Sequence, residues 1–259
     1  MTAIQHIRTA LLGAALLLGA AAGLLAAAAA QPAQPTVVLV HGAFADGSSW
    51  AEVIPLLQAE GLNVVAVQNP LTSLSDDVAA TRRAIATQAG PVVLVGHSWA
   101  GTVITEAGND DRVKALVYVA AFSPGDGQAT SDLTKNYPTP PGLAHPQVDA
   151  AGFLTLSAAD IATYFAPDVP KEVSNLIAVT QGPVRAANFD EKMTTAAWKS
   201  KPSWAIVTED DQMIAPKLLA DSAKAMNAHV TPIKASHVVM LSHPKEVAAV
   251  ILEAAQSAK

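Results

Sequence analysis

Residues Val92–Gly101 read VVLVGHSWAG, an apolar strand pattern that runs through a serine into a segment of helical character. A serine on so sharp a strand-to-helix turn has a strained backbone, and the residues two before and two after it crowd each other unless both are very small. Gly96 and Ala100 meet that demand, although alanine replaces the second glycine of the usual G-x-S-x-G pattern. A capping serine on an ordinary turn is the alternative. The context favours Ser98 as a nucleophile, with His97 packed or hydrogen-bonded beside it rather than catalytic.

On both sides of this stretch, short β-branched runs alternate with longer segments of helical period. Such alternation is typical of a mainly parallel sheet with helices on both faces. The strand-like runs are Thr36–Val40, Leu62–Val67, Pro91–Val95, Val113–Ala120, Ser203–Val207 and Val230–Lys234. The helical segments are Ser49–Glu60, Asp76–Gln88, Ser98–Gly108, Pro216–Asn227 and Pro244–Gln256. The sequence therefore predicts an α/β fold with a doubly wound sheet of about six strands.

One region interrupts the alternation. Residues Ser123 to Pro202 contain no strand-like run and are rich in Pro, Gly and Ala, while Ser157–Phe165 and Pro170–Val179 have helical spacing. We therefore expect a helical cap inserted at about residues 123–202. The apolar side chains that could line a pocket under it, or equally belong to the core, are Phe44, Phe153, Tyr164, Phe165, Leu176 and Trp198.

The loop after the first strand reads HGAF, and ligands of open parallel sheets bind beyond the carboxyl ends of the strands. Acyl transfer requires two backbone N–H donors aimed at the oxygen that becomes negative, one of them from the residue after the nucleophile. That residue is Trp99. Gly42 lets the chain turn closely enough for Ala43 to present the second donor, with Phe44 as the alternative. Alone, the pair His41 and Gly42 indicates only a turn.

Carboxylates and a histidine follow the last two strands. A serine hydroxyl is a poor nucleophile until an imidazole takes its proton, and the imidazole needs a buried carboxylate to fix its tautomer. The order serine, acid, histidine along the chain suits such a sheet. Asp211 is the predicted acid, with Glu209 and Asp210 as competitors. His237 is the predicted base, preferred to His243, which lies at the start of the final helix.

The composition excludes several classes of protein. The chain has 259 residues, 51% hydrophobic and 15% charged, with a net charge of −6 and no basic run, so neither nucleic acid nor an anionic membrane is an expected partner. The lack of cysteine excludes disulfides, thiolate metal sites and cysteine nucleophiles. No metal-ligand spacing, phosphate loop or dinucleotide fingerprint is present, so no cofactor or metal is expected. The expected partner is a small acyl substrate.

The first thirty residues have the pattern of a secretory signal peptide. Arg8 precedes an uncharged Ala/Leu run from Thr9 to Ala30, which ends in small residues suited to cleavage. We therefore expect cleavage near Ala30, a single domain at residues 31–259, and a secreted or periplasmic protein. The alternative is a membrane anchor left uncleaved, since the run is long enough to span a bilayer.

Together these motifs resemble the α/β-hydrolase superfamily, and within it the branch of plant-type esterases and hydroxynitrile lyases. The resemblance rests on HGAF at 41–44 with Trp50, GHSWAG at 96–101, the Asp211–Pro216 segment and His237. It runs from Thr36 to the C-terminus and fades in the cap. In that branch a proline follows the acid five residues on, which selects Asp211 over Asp210.

The resemblance also bears on the oxyanion donors and the reaction. Ala43 and Trp99 match the donors of that branch. Hydroxynitrile lyases place a threonine after the first histidine and a lysine after the catalytic one, where this chain has Gly42 and Val238. Without an ammonium group to stabilise a leaving cyanide, hydrolysis is favoured. Haloalkane dehalogenases and epoxide hydrolases are similar too, but carry aspartate where this chain has Ser98.

The resemblance thus implies a carboxylesterase-like serine hydrolase that acts on a small, largely apolar ester and needs no cofactor. The same triad could instead cleave a lactone, a thioester, an amide or a carbon–carbon bond. A non-catalytic ligand-binding protein on the same fold is a further alternative, which the complete triad and both oxyanion positions disfavour.

Overall fold

The computed structural model describes residues 34–258, so the predicted signal segment at residues 1–30 lies outside the described residues. The strands in this range are β1 (Thr36–Val40), β2 (Asn63–Val67), β3 (Val92–His97), β4 (Val113–Val119), β5 (Gln147–Val148), β6 (Phe153–Thr155), β7 (Val184–Arg185), β8 (Ser203–Thr208) and β9 (His229–Ile233). Six of them form a parallel central sheet in the order β2-β1-β3-β4-β8-β9. Each begins and ends within two residues of a predicted run, so the predicted α/β fold is confirmed.

Helices connect the strands and cover both faces of the sheet. The α-helices are α1 (Ile54–Ala59), α2 (Leu74–Ala86), α3 (Ala100–Ala107), α4 (Thr130–Thr134), α5 (Ala158–Asp160), α6 (Lys171–Thr180), α7 (Pro216–Ala225), α8 (Val239–Ser242) and α9 (Pro244–Ser257). Helix α1 contacts α9, and α2 contacts α3, which gives two helical layers. None of the helices within residues 34–258 is both long enough and apolar enough to cross a bilayer.

Burial across the sheet follows from strand order. Strands β1, β3 and β8 are buried at every position, as apolar strands between two helical layers should be. The edge strands β2 and β9 are partly exposed. Pro232 lies in β9, where the missing N–H is tolerated because an edge strand has a neighbour on one side only.

The segment between β4 and β8 forms the predicted cap, but the expectation that residues 123–202 contain no strand is wrong. Strands β5, β6 and β7 pair as a small antiparallel sheet. Each has two or three residues, too few for an alternating pattern to be recognised. The turn between β5 and β6 does contain residues typical of turns, Asp149 and Gly152. Asp149 accepts hydrogen bonds from the N–H groups of Ala151 and Phe153, and Gly152 has a φ of +81°.

The carboxyl ends of β1, β3, β8 and β9 meet at one edge of the sheet, and cap residues Asp168 and Phe165 contact the segment that follows β9 there. The HGAF loop follows β1, and Ser98 follows β3. Asp211 and His237 follow β8 and β9. Since all strands of a parallel sheet end at the same edge, four distant sequence segments converge there.

Candidate active site

The turn between β3 and α3 holds Ser98 in a conformation that only tight packing sustains. Its φ is +54°, in the left-handed region that most side chains avoid. A Cβ at Gly96 would lie 2.7 Å from the carbonyl oxygen of Ala100, and one at Gly42 would lie 2.8 Å from the Cβ of Ser98. A side chain at either glycine would therefore displace the turn that carries Ser98, which explains why both positions are glycine.

A continuous line of hydrogen bonds joins three side chains from three strand ends. The Oγ of Ser98 lies 2.8 Å from Nε2 of His237, and Nδ1 of His237 lies 2.8 Å from Oδ2 of Asp211. All three residues are buried. An ionised carboxylate only accepts hydrogen bonds, so Nδ1 carries the proton and Nε2 is left to accept the proton of the serine hydroxyl.

Hydrogen bonds from groups other than His237 also hold Asp211 in place. Its Oδ2 also accepts a hydrogen bond from the hydroxyl of Thr208 at 2.7 Å, and its Oδ1 accepts from the N–H groups of Met213 and Ile214 at 2.8 and 2.9 Å. Burial by itself raises the pKa of this carboxyl, but the adjacent His237 and these hydrogen bonds outweigh it and hold the pKa below its usual value. Asp211 is therefore ionised at neutral pH.

The competing sequence candidates lie apart from this line. Glu209 and Asp210 are exposed to solvent, because the chain turns outward after β8 before it returns at Asp211. His243 precedes α9, and its Nδ1 lies 2.9 Å from the hydroxyl of Ser242. None of the three has a hydrogen bond to His237 or Ser98 within the described residues.

His97 packs against His237 and is hydrogen-bonded to its backbone. Its Nε2 donates to the backbone carbonyl of His237 at 3.0 Å, and the two ring centres are 4.7 Å apart. Complete burial and the neighbouring His237 lower the pKa of His97 to about 3, so it stays neutral. The packed role predicted for His97 is thus its observed one.

The three N–H groups predicted as possible oxyanion donors have no acceptor in the part of the chain that the structure describes. Within residues 34–258, the N–H groups of Ala43, Phe44 and Trp99 donate to no backbone or side-chain acceptor. Buried N–H groups without an acceptor are uncommon, and they suit an oxygen supplied by a ligand. Phe44 also has a φ of +58°, a local strain at the same loop.

His41 shapes that loop. Its Nε2 accepts the N–H of Asn69 at 2.8 Å, so Nδ1 carries the proton and donates to the carbonyl of Gly42 at 2.9 Å. Burial lowers the pKa of His41, which keeps the ring neutral and preserves this arrangement. Sequence reasoning missed Asn69, which is 28 residues away and carries no local motif.

Two residues of the cap contact the segment around His237. Asp168 accepts hydrogen bonds from the N–H of Ser236, at 2.7 Å, and from its hydroxyl, which fixes the residue before His237. Phe165 ends a π-helical turn, Ile161–Phe165, and its ring centre lies 5.4 Å from that of His237. Asp168 is a second residue that the sequence did not reveal, because it acts 68 residues from its partner.

Four of the six apolar side chains proposed to line a pocket fall into two groups. The ring of Phe44 lies 6.5 Å from that of Phe165, the ring that lies beside His237. Leu176 is 57% exposed on α6, and the indole of Trp198 donates to the carbonyl of Pro124 instead. The wall next to His237 is therefore aromatic and apolar.

Gly101→Ala is expected to destabilise the fold by about 3 kcal/mol, near the upper range for overpacking a core. A Cβ there would collide with the carbonyl oxygen of Phe122 and lie 2.8 Å from the Cβ of Ala121, so α3 would have to move away from the end of β4. Urea denaturation measures the loss.

Gly125→Ala is the matched control for that variant. Its Cβ would meet the flexible side chain of Gln128 at 3.1 Å, and we expect a change within about 0.5 kcal/mol. Equal losses in the two variants would contradict the packing argument.

Comparison with known proteins places these features in a family context. A family model described as "Alpha/beta hydrolase family" matches residues 37–250. The probable hydrolase R7 of Phoma sp. is 27% identical over an alignment of 248 residues, and the match covers 86% of this chain and 98% of the relative.

Two solved structures have a similar architecture. The pyrethroid hydrolase PytH has a TM-score of 0.74 at 21% identity, and the match covers 86% of this chain and 98% of the solved chain. Polyneuridine aldehyde esterase has a TM-score of 0.75 at 21% identity, covering 85% and 99%. The TM-scores establish a shared fold, and at identities this low the fold is all that the two matches establish.

Proposed function

Since this chain belongs to the alpha/beta hydrolase family and is a hydrolase, we propose that it is a serine hydrolase that cleaves a small, largely apolar carboxylic ester through an acyl-enzyme intermediate. The observation that carries the proposal is the unbroken line of hydrogen bonds Ser98–His237–Asp211, with 2.8 Å at each step. An imidazole held by a carboxylate and hydrogen-bonded to a serine is the arrangement that makes a hydroxyl nucleophilic.

In the first half of the proposed reaction, Oγ of Ser98 attacks the ester carbonyl carbon while Nε2 of His237 takes the hydroxyl proton. The carbonyl oxygen becomes negative and accepts hydrogen bonds from the N–H groups of Ala43 and Trp99, with Phe44 as the alternative to Ala43. Both donors belong to buried residues and have no acceptor among the described residues, which supports this role because such donors act most strongly where water is excluded.

In the second half, the bond between the carbonyl carbon and the alcohol oxygen breaks, and His237 returns its proton to that oxygen. Water then attacks the acyl-serine with His237 as base, which releases the acid and restores Ser98. Asp211 keeps Nδ1 protonated throughout and stabilises the imidazolium.

The substrate class is inferred from the surroundings of the histidine. Phe44 and Phe165 give the site an apolar wall, and Val238 is buried directly after His237, so this position has no side-chain cation. An apolar acyl or alcohol group fits such a wall better than a charged one. The names of two proteins that share the fold, an esterase and a pyrethroid hydrolase, agree with this class.

The test is active-site labelling combined with a substrate panel. The full-length protein treated with a fluorophosphonate is expected to carry one adduct, on Ser98, and to lose its hydrolysis of p-nitrophenyl acetate and butyrate. The panel also contains lactones, thioesters and amides. An adduct on a different residue would refute the mechanism, and ligand binding without turnover across the panel would favour a binding protein.

A further inference from the structure

Asp77 is a carboxylate buried inside α2 that the proposed reaction does not use. It is 0% exposed, and its two oxygens accept one hydrogen bond each, from Nε1 of Trp99 and from the N–H of Leu71, both at 2.8 Å. Neither donor is charged. Burial, with Asp76 and Glu191 nearby, raises the pKa of Asp77 to about 6. A buried carboxylate that has no cation beside it destabilises the fold. Proteins typically retain such costly groups at functional sites.

The residue that Asp77 holds is the one after the nucleophile. Trp99 follows Ser98 in the turn, and its backbone N–H is the proposed oxyanion donor. Its indole is fully buried and has a neighbour on each of two sides. Asp77 on α2 accepts its hydrogen bond, and the ring of Phe189 in the cap packs against it, with 5.1 Å between the two ring centres. A fixed indole fixes the Cα–Cβ bond of Trp99, and therefore the direction of its N–H.

The second oxygen of Asp77 connects the same carboxylate to the cap. Leu71, whose N–H it accepts, has a φ of +59°, and the carbonyl of Leu71 accepts hydrogen bonds from the N–H of Arg185 and from Nδ2 of Asn188, both at 3.0 Å. Asn188 precedes Phe189, which packs on Trp99. Asp77 thus closes a ring of contacts that runs through the turn, the loop before α2 and the cap.

We propose that Asp77 is a positioning residue that acts through the indole of Trp99 to aim the oxyanion donor. The inference rests on the proposed serine-hydrolase function. Donors of this kind are effective only at about 2.7 to 3.1 Å from the developing oxyanion, so a small rotation of Trp99 weakens transition-state binding.

The test is Asp77→Asn, assayed on p-nitrophenyl butyrate. The amide retains one acceptor oxygen and removes the other, so one of the two donors loses its partner. We expect kcat to fall about 10- to 100-fold, the range for a displaced catalytic group, with KM changed less than about threefold because the oxyanion exists only in the transition state. The affinity for a trifluoromethyl ketone inhibitor should fall by the same factor as kcat.

Two further variants separate positioning from general damage. Trp99→Phe removes the indole N–H and keeps an aromatic ring; it should reproduce the loss in kcat, and the double variant should lose little more than either single one. Asp76→Asn changes the exposed neighbour on the same helix and should keep wild-type kcat and KM.

The outcomes are decisive in either direction. Wild-type kcat in both Asp77→Asn and Trp99→Phe, a loss confined to KM, or additive losses in the double variant would overturn the inference. If Asp77→Asn does not fold by circular dichroism, Trp99→Phe decides alone, since wild-type kcat there excludes any role for the indole. Full activity of Ser98→Ala would instead remove the proposed function, whereas an inactive Ser98→Ala with fully active Asp77→Asn and Trp99→Phe variants would remove only this inference.

Discussion

Ser98→Ala is expected to lower kcat for p-nitrophenyl butyrate by about 10⁶-fold, the scale seen when a serine nucleophile is removed. The alanine cannot form the acyl-enzyme, and His237 then has no hydroxyl to deprotonate at 2.8 Å. Rate enhancement of about 10³ to 10⁴ over water can persist from the oxyanion donors and substrate binding alone. Initial rates with purified protein, compared with the buffer rate, measure the effect.

Ser222→Ala is the matched control. Ser222 is also a buried serine, but it lies on α7, and its loss should leave kcat and KM unchanged. Circular dichroism should show both variants folded, because Ser98 contributes one hydroxyl to a large packed domain. Turnover by Ser98→Ala at the wild-type rate would exclude the acyl-serine mechanism.

Asp211→Asn is expected to lower kcat by about 10⁴-fold, the loss seen for the same change in established Ser-His-Asp triads. Asp211 accepts hydrogen bonds from His237, Thr208, Met213 and Ile214 in its ionised form. An amide offers one acceptor oxygen and a donor nitrogen, so the favoured arrangement turns Nδ1 of the histidine into an acceptor. Nε2 then carries the proton and cannot take another from Ser98.

The neighbouring Asp210→Asn tests the assignment within the same loop. Asp210 is exposed, and its substitution should change kcat by less than about twofold, as for most surface changes. Loss of activity in Asp210→Asn with activity retained in Asp211→Asn would reassign the acid. Thermal unfolding of both variants must accompany the kinetics, because a buried amide facing donor groups also destabilises the fold.

The sequence predicted the six central strands within two residues because burial on both faces produces continuous apolar runs. It did less well in the cap, where β5, β6 and β7 are too short to show a period. The convergence of Ser98, Asp211 and His237 followed from chain order and strand ends, since a parallel sheet brings those ends to one edge.

What the sequence determined by itself is local: which runs form strands, which turn requires small residues, and which chemical groups stand at strand ends. Only the tertiary structure decided which partners hold those groups, as Asp77 holds Trp99 across 22 residues, Asn69 holds His41 across 28, and Asp168 holds Ser236 across 68. The physical reason is that periodicity and turn chemistry arise between neighbours along the chain. A hydrogen bond between distant segments depends on how helices, loops and cap pack, and no short pattern encodes that.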